Sequence, residues 1–421
     1  FYIYNLLEEL DSPGEYYIDT DKNILYLYPP NGEINSIFLA SKSDSYFDLY
    51  RTRYICIDGI NMNGGKKNAA TIYNGSNNAI KNCTVRNMQS VGIGISGKKN
   101  GVDSCVISEC NGGVTIANGD AKMNLEARIN IERAENYIVN SELYDNDRIS
   151  KTYSPSVKLM GCGHRVSNNK IHGAEHDVIE FAGNEHTIEY NEIYDAVTNT
   201  NDAGAVYSNY SMSYKGNVIR YNYFHDIGKH SDGEFTTQAV YLDDFMSSAE
   251  VFGNVFSNIK GYGVNVCGSD NIIENNIFVD CENSVYAKRD FWWNAAGGTY
   301  AQATDGLISS LNEVPYTDEK WSAAYPEMAD YLGEDENGKI KPKVGYNIGI
   351  LKNVLYNAGK ISVSSGISEK TDKVHDNIIY ENNPGFADYG SGDYSLRSNS
   401  KVFKDISGFE NIPFSQMGLK K

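Results

Sequence analysis

The chain has 421 residues, 41% hydrophobic and 22% charged, a globular composition long enough for several ordinary domains or one long repeat domain. Its formal net charge of -18 repels phosphate backbones and anionic lipid, which argues against nucleic-acid and membrane partners. It would also disfavour a highly acidic polysaccharide unless local cations offset the field, and no run of about 18 apolar residues is present to cross a bilayer.

The chain opens at Phe1 without Met and reads as a mature or trimmed sequence. Residues 1–45 hold the turn DSPGE and the step DTDKNILYLYPP, short strand-like stretches that predict a small β appendage or cap. Residues 46–289 then repeat themselves. AIKNCTVRNM (79–88), YIVNSELYDN (137–146), HRVSNNKIHG (164–173), HTIEYNEIYD (186–195), NVIRYNYFHD (217–226), AEVFGNVFSN (249–258) and NIIENNIFVD (271–280) share one pattern of apolar and polar positions around a recurrent Asn or small polar residue. From Asn169 to Asn191 is 22 residues, to Asn222 a further 31, to Asn254 a further 32, and to Asn276 again 22. A unit near 22 residues with loop insertions predicts an all-β right-handed parallel β-helix, a solenoid of short strands. The recurrent Asn is expected at a tight bend, where it tolerates left-handed geometry, bonds its own backbone and stacks into a ladder.

A second column of strands lies between these: SVKLMG (156–161), DVIEFAG (177–183), AVYSN (205–209), AVYLDD (239–244), GVNVCG (263–268) and SVYAKR (284–289). Val157/Leu159, Ile179/Phe181, Val240/Leu242 and Val264/Val266 share a parity that should point inward. The opposite parity sets an outward column of Lys158, Glu180, Tyr207, Tyr241, Asn265 and Tyr286, with Asp243 and Lys288 one step further along.

Residues 290–345 break the repeat and carry Trp292, Trp293 and Trp321; they read as a helical insertion that packs as core or cap, with sugar stacking by one Trp as the alternative. Residues 346–421 complete the last coils and a C-terminal cap. The seven cysteines form no CxxC pair and read as buried small hydrophobes; no His/Cys cluster has metal-ligand spacing, so no metal site is expected.

The segments NDAGAVYS (201–208), GNVIRYNYFHDIG (216–228), AVYLDD (239–244) and NIIENNIFVDC (271–281) resemble bacterial right-handed β-helix glycoside hydrolases, most nearly family 141, which includes fucosidases and xylanases. HDVIEFAGNEHTIEYNEIYDA (176–196), the opening LEELDSPGEYYIDTDKNILYLYPP and WSAAYPEMADYL are similar, so the resemblance covers nearly the whole chain. It implies a catalytic carboxylate pair at Asp202, in the DAG motif, and Asp243, the first Asp of the YLDD motif.

The register poses a difficulty for this pair. Asp243 lies two residues past Tyr241, whereas Asp202 lies five before Tyr207. The two meet only if NTNDAG folds back across the strand face, which Gly204 would allow; Glu180, in the outward column, is the substitute partner. Parity favours Asp243 over Asp244 as the groove-facing acid, with Asp244 beside it as a substrate contact. His176 and His186, flanking the Glu180 strand, are surface or turn residues or else orient substrate. Tyr207, Tyr241 and Tyr286 are β-surface packing or an exposed sugar platform. Lys158 and Lys288 are ion-pair partners of the acids or substrate contacts.

Three functions fit these residues. The first is hydrolysis of a complex, plant cell-wall type polysaccharide by paired carboxylates, with a poly- or oligosaccharide as partner, no cofactor, a monomeric state and a secreted or cell-surface location. The second is a polysaccharide lyase with Lys288 or Lys158 as base and calcium held by Asp202, Asp243, Asp244 and Glu180. The third is a non-catalytic glycan-binding or adhesion β-helix.

Overall fold

A computed structural model of the chain describes residues 3–30, 32, 34, 36–39, 44–228, 236–287, 299–334, 338, 340–342, 347–364 and 373–420. Two compact units divide it, Phe1–Lys42 and Ser43–Lys421. In the first, strand Tyr16–Asp19 pairs antiparallel with Ile24–Leu27. Asn5 holds the hairpin from outside, its amide donating to the Ile18 carbonyl at 2.9 Å and its side-chain oxygen accepting the Ile18 N–H at 2.7 Å.

The second unit is a right-handed parallel β-helix. Each coil contributes one short strand to each of three parallel sheets, and the described residues form 11 strands in every sheet. The first sheet carries Val157–Cys162, Ile179–Asn184, Ala203–Ser208, Thr237–Leu242, Tyr262–Val266 and Asn283–Ala287 as consecutive neighbours. The inward parity expected from the sequence fills the core: Val157, Leu159, Ile179, Val240, Leu242, Val264 and Val266 are fully buried. Like residues stack coil on coil. In the third sheet Phe224, Phe256 and Phe278 lie face to face with centroids 5.0 and 4.8 Å apart.

The asparagines of the repeat do form a ladder, in a way that corrects the expected bend geometry. Asn169, Asn191, Asn222, Asn254, Asn276 and Asn353 are buried at the corner between the second and third sheets. The left-handed backbone falls on the residue before each of them, such as Tyr190 (φ 56°), Tyr221 (φ 54°) and Asn275 (φ 61°). The Asn itself bonds the neighbouring coils. Asn191 accepts the Asn169 backbone N–H at 2.9 Å, and its own amide donates to Asn222 Oδ1 at 2.9 Å and to the Val166 carbonyl at 3.0 Å. Each amide thereby satisfies corner groups of two coils, which a buried turn requires.

Two features depart from the expected organisation. A helix, Ala121–Ile129, leaves the coil after Val114–Ala117, started by Asp120 accepting the Met123 N–H at 2.9 Å. It meets the insertion, whose helices are Thr299–Asn312 and Glu319–Ala324. Leu125 and Ile129 pack with Leu307, Leu311 and Trp321, and Trp321 donates its indole N–H to the Ile129 carbonyl at 2.8 Å, so this Trp is core rather than a sugar stack. Trp292 and Trp293 lie outside the described residues. The C-terminal segment is a strap rather than an end cap alone. Phe386, Tyr394 and Phe409 cover Val255, Ile277, Val279 and Val354 on the third sheet, and Gly418 donates to the Tyr190 carbonyl at 2.8 Å. Six cysteines are buried and free, while Cys56 is exposed.

Candidate active site

The outward column of the first sheet stands as the alternation predicts. Lys158, Glu180, Tyr207, Tyr241, Asn265 and Tyr286 pair residue to residue across consecutive strands. Their environments differ. Lys158 Nζ reaches both Glu180 oxygens, at 2.9 and 3.0 Å, so these two form an ion pair on the strands before Tyr207. Tyr207 and Tyr286 are half-buried, but Tyr241 is only 2% exposed, which corrects the expected open aromatic platform. Gly204 allows the Tyr241 backbone to come close: a Cβ at Gly204 would lie 2.5 Å from the Tyr241 Cβ and 3.1 Å from its N.

This close approach brings the two acids together. Asp202 takes the left-handed conformation itself (φ 53°) and donates its backbone N–H to the Thr236 carbonyl at 3.1 Å; the φ of Gly204 is not positive. The reversal expected at Gly204 is thus made at Asp202, and Gly204 supplies room instead. The Tyr241 hydroxyl donates to Asp202 Oδ1 at 3.1 Å and also hydrogen-bonds Asp243. Asp243 follows strand Thr237–Leu242 directly, donates its N–H to the Ser208 carbonyl at 2.9 Å, and so keeps the alternation that places it on the Tyr241 face. Its carboxylate accepts the Cys267 thiol at 3.6 Å. Burial, then the Asp243 charge, pushes the Tyr241 phenol far above its ordinary range, so the hydroxyl stays a donor.

Asp244 begins the turn that ends the strand, with φ 34°, and Met246 closes it by donating to the Asp243 carbonyl at 2.9 Å. Phe245 packs into the cluster of Met212, Leu307, Leu311 and Trp321, which seats the acid-bearing turn on the helical insertion. Tyr207 accepts the Asn209 amide at 2.8 Å. Burial, followed by Asp243, Tyr153, Asp244 and Asp202, raises its phenol well above the usual value. Tyr207 therefore shares one electrostatic neighbourhood with all three aspartates.

The two histidines divide. His176 is buried beside Asp177 with its ring 4.7 Å from Tyr153, and burial pushes its imidazole down to about 4. His186 is a correction: it is 1% exposed and belongs to the ladder between the first and second sheets. Its Nδ1 accepts the His164 N–H at 3.2 Å, its N–H donates to Asn217 Oδ1 at 3.1 Å, and its ring stacks on His164 at 5.2 Å. Burial, then the adjacent His164, holds its pKa well below the usual value. It fills an Asn position in the corner and has no access to substrate. Lys288 lies outside the described residues.

Cys267 and Tyr153 went unrecognised in the sequence. Cys267 was legible, since Leu242 pairs with Val266 and the next residue of each strand must then be neighbours. Tyr153 sits in an irregular loop where no alternation applies. Among the described residues no group of three His, Cys, Asp or Glu side chains is disposed to hold a metal.

A family model described as the right-handed β-helix region matches residues 155–296. No curated protein matches the sequence. Among solved structures, one titled glycoside hydrolase aligns with TM-score 0.50 at 14% identity over 72% of this chain and 61% of its own. The GH136 lacto-N-biosidase from Eubacterium ramulus aligns at TM-score 0.42 and 11% identity, over 75% of this chain and 51% of its own. A PL6 family alginate lyase aligns at TM-score 0.38 and 11% identity, over 89% of this chain and 56% of its own. The chain spans about half to three-fifths of the length of these structures, and the likeness is one of fold.

Proposed function

We propose that the protein is a carbohydrate-active enzyme that hydrolyses glycosidic bonds in a complex polysaccharide, with Asp202 and Asp243 as the reacting pair. The observation that carries this reading is the Tyr241 hydroxyl, which donates to Asp202 Oδ1 at 3.1 Å and whose pKa is raised by burial and then by the neighbouring Asp243 charge, so that two carboxylates 41 positions apart in sequence meet at one side chain of the first sheet. Glycoside cleavage asks for this: one carboxyl group protonates the leaving oxygen, and the other attacks the anomeric carbon or activates water. The family 141 resemblance of the DAG and YLDD motifs and the fold likeness to a glycoside hydrolase support the same assignment.

Asp244 and Tyr207 line the approach, and His176, next to Tyr153, orients the substrate as a neutral imidazole. The test is a polysaccharide screen for new reducing ends with proton NMR of the first anomer released. An ultraviolet-absorbing unsaturated product would assign the lyase chemistry instead, and an Asp243→Asn protein with wild-type turnover would remove the pair from the reaction.

A further inference from the structure

A second surface built for a sugar lies on the second sheet, away from the acids on the first. Tyr137 pairs with Gly101 across neighbouring strands, and its ring lies over that glycine: a Cβ at Gly101 would sit 2.1 Å from both Cε2 and Cζ of Tyr137. One face of the ring is therefore seated on backbone. Among the described residues no ring or cation is stacked on the other face. The next strand places Arg165 directly beside Tyr137. Arg165 bonds Glu189 Oε1 at 2.7 Å, and Arg220, one strand beyond Glu189, bonds its Oε2 at 2.8 Å. The Glu189 side chain is 5% exposed, while those of Arg165 and Arg220 are 52% and 44% exposed.

One sunken carboxylate thus fixes two guanidinium groups, leaving a net positive charge and unused N–H donors toward solvent. Together with Arg133, which is paired with Glu185 at 2.7 Å, Glu135 and the Tyr137 ring they line a cleft of about 540 Å³, where 3 of the chain's 10 arginines converge in a protein of net charge -18.

We propose that this cleft is a non-catalytic binding site for a glycan bearing carboxylate groups, a uronic-acid chain, with Tyr137 under a pyranose ring and Arg165 and Arg220 on the carboxylate. An aromatic face supplies apolar area to the C–H side of a sugar, and a guanidinium pair meets a carboxylate in a forked geometry that no neutral sugar uses. The surplus positive charge of two arginines on one Glu189 offsets the field of the acidic protein at this cleft. The site is independent of the hydrolytic assignment, which enters only in the choice of a sugar as ligand.

The test uses the whole chain and titrates it calorimetrically with polygalacturonate, its fully methyl-esterified form and neutral xylan. Polygalacturonate should bind at least tenfold more tightly than the esterified polymer, with affinity falling as salt rises. Tyr137→Ala and Arg165→Gln should each weaken that binding at least tenfold. Gly101→Ala should do the same by lifting the ring, since Gly101 φ is not positive and the backbone accepts alanine. Removing an arginine leaves the buried Glu189 underpaired; if Arg165→Gln fails to fold, the Tyr137 and Gly101 variants keep the ion pair intact and decide the matter. Equal affinity for esterified and free polymer, or wild-type binding by Tyr137→Ala, would overturn the site and show that the ring merely covers Gly101. Because binding is read without turnover, inactivity of the first-sheet acids would leave this result standing.

Discussion

Replacing Tyr241 with Phe removes one oxygen and nothing else from the centre of the candidate site. The ring should remain, because Tyr241 is buried, with 2% exposure. The lost groups are the 3.1 Å hydrogen bond to Asp202 and the bond to Asp243. A hydrogen bond to a charged group contributes about 1.5–3 kcal/mol when neither partner can find another. Asp202 is exposed and water can take the place of the hydroxyl there, whereas Asp243 is buried, so the fold should lose about 1–3 kcal/mol. Turnover should fall as well. The hydroxyl holds Asp202 and lies beside Asp243, and displacing a reacting group by about 1 Å costs on the order of 10²-fold. That corresponds to about 2.7 kcal/mol of barrier. The assay is reducing-end release on the best polysaccharide from the screen, with kcat and KM separated and the melting temperature measured alongside. A fall of about 30–100-fold in kcat, with KM nearly unchanged and the melting temperature lower by no more than a few degrees, is expected. Unchanged kcat in a folded Tyr241→Phe protein would refute the idea that this hydroxyl sets the spacing of the pair.

Asp202→Asn and Asp243→Asn should each lower kcat by about 10²–10⁴-fold, the range general acid–base groups supply, and Asp202→Asn should leave the melting temperature at the wild-type value because its side chain is exposed. Asn222→Ala removes the acceptor of the Asn191 N–H and the donors to the Ile188 carbonyl and Asn254 Oδ1. With orphaned buried groups at about 1–3 kcal/mol each, it should cost about 3 kcal/mol, read as a lower urea midpoint; a midpoint within error of wild type would mean the ladder is ornamental. The stacked His164 and His186 give an acid limb. Unfolded histidine takes up a proton near 6.5, whereas burial lowers His164 to about 4 and His186 well below its usual value. The unfolded state then binds more protons as pH falls through that window, so stability should drop from pH 6.5 to about 4. His164→Asn, matching its ladder neighbours, should flatten that limb in melting curves taken across the range.

The coil was legible because it is written in local rules. Parity alone put Val157, Ile179, Val240 and Val264 inside and Glu180, Tyr207, Tyr241 and Asn265 outside, and the pairings agree residue by residue. The site was less legible because it depends on where chains bend. No sequence rule says that the Tyr241 hydroxyl reaches back to Asp202, so Asp202 looked stranded. His186 looked available because a histidine and an asparagine filling the same corner slot differ on paper and not in role. The outward apolar residues Ile277 and Val279 made sense only once the strap from the distant C-terminus lay over them.

Modularity has a limit in such a molecule. An extra coil spliced in far from the acids would extend every corner ladder by one link and change nothing in the chemistry. The same splice between Ala203–Ser208 and Thr237–Leu242 would satisfy the ladders equally well, yet push the two aspartates apart by one strand spacing, about 4.8 Å. Folding counts coils only as repeats, whereas the reaction depends on which two are adjacent, so, apart from the coils tied by the strap and the helical insertion, the seam between these two strands is the one that the chemistry holds fixed.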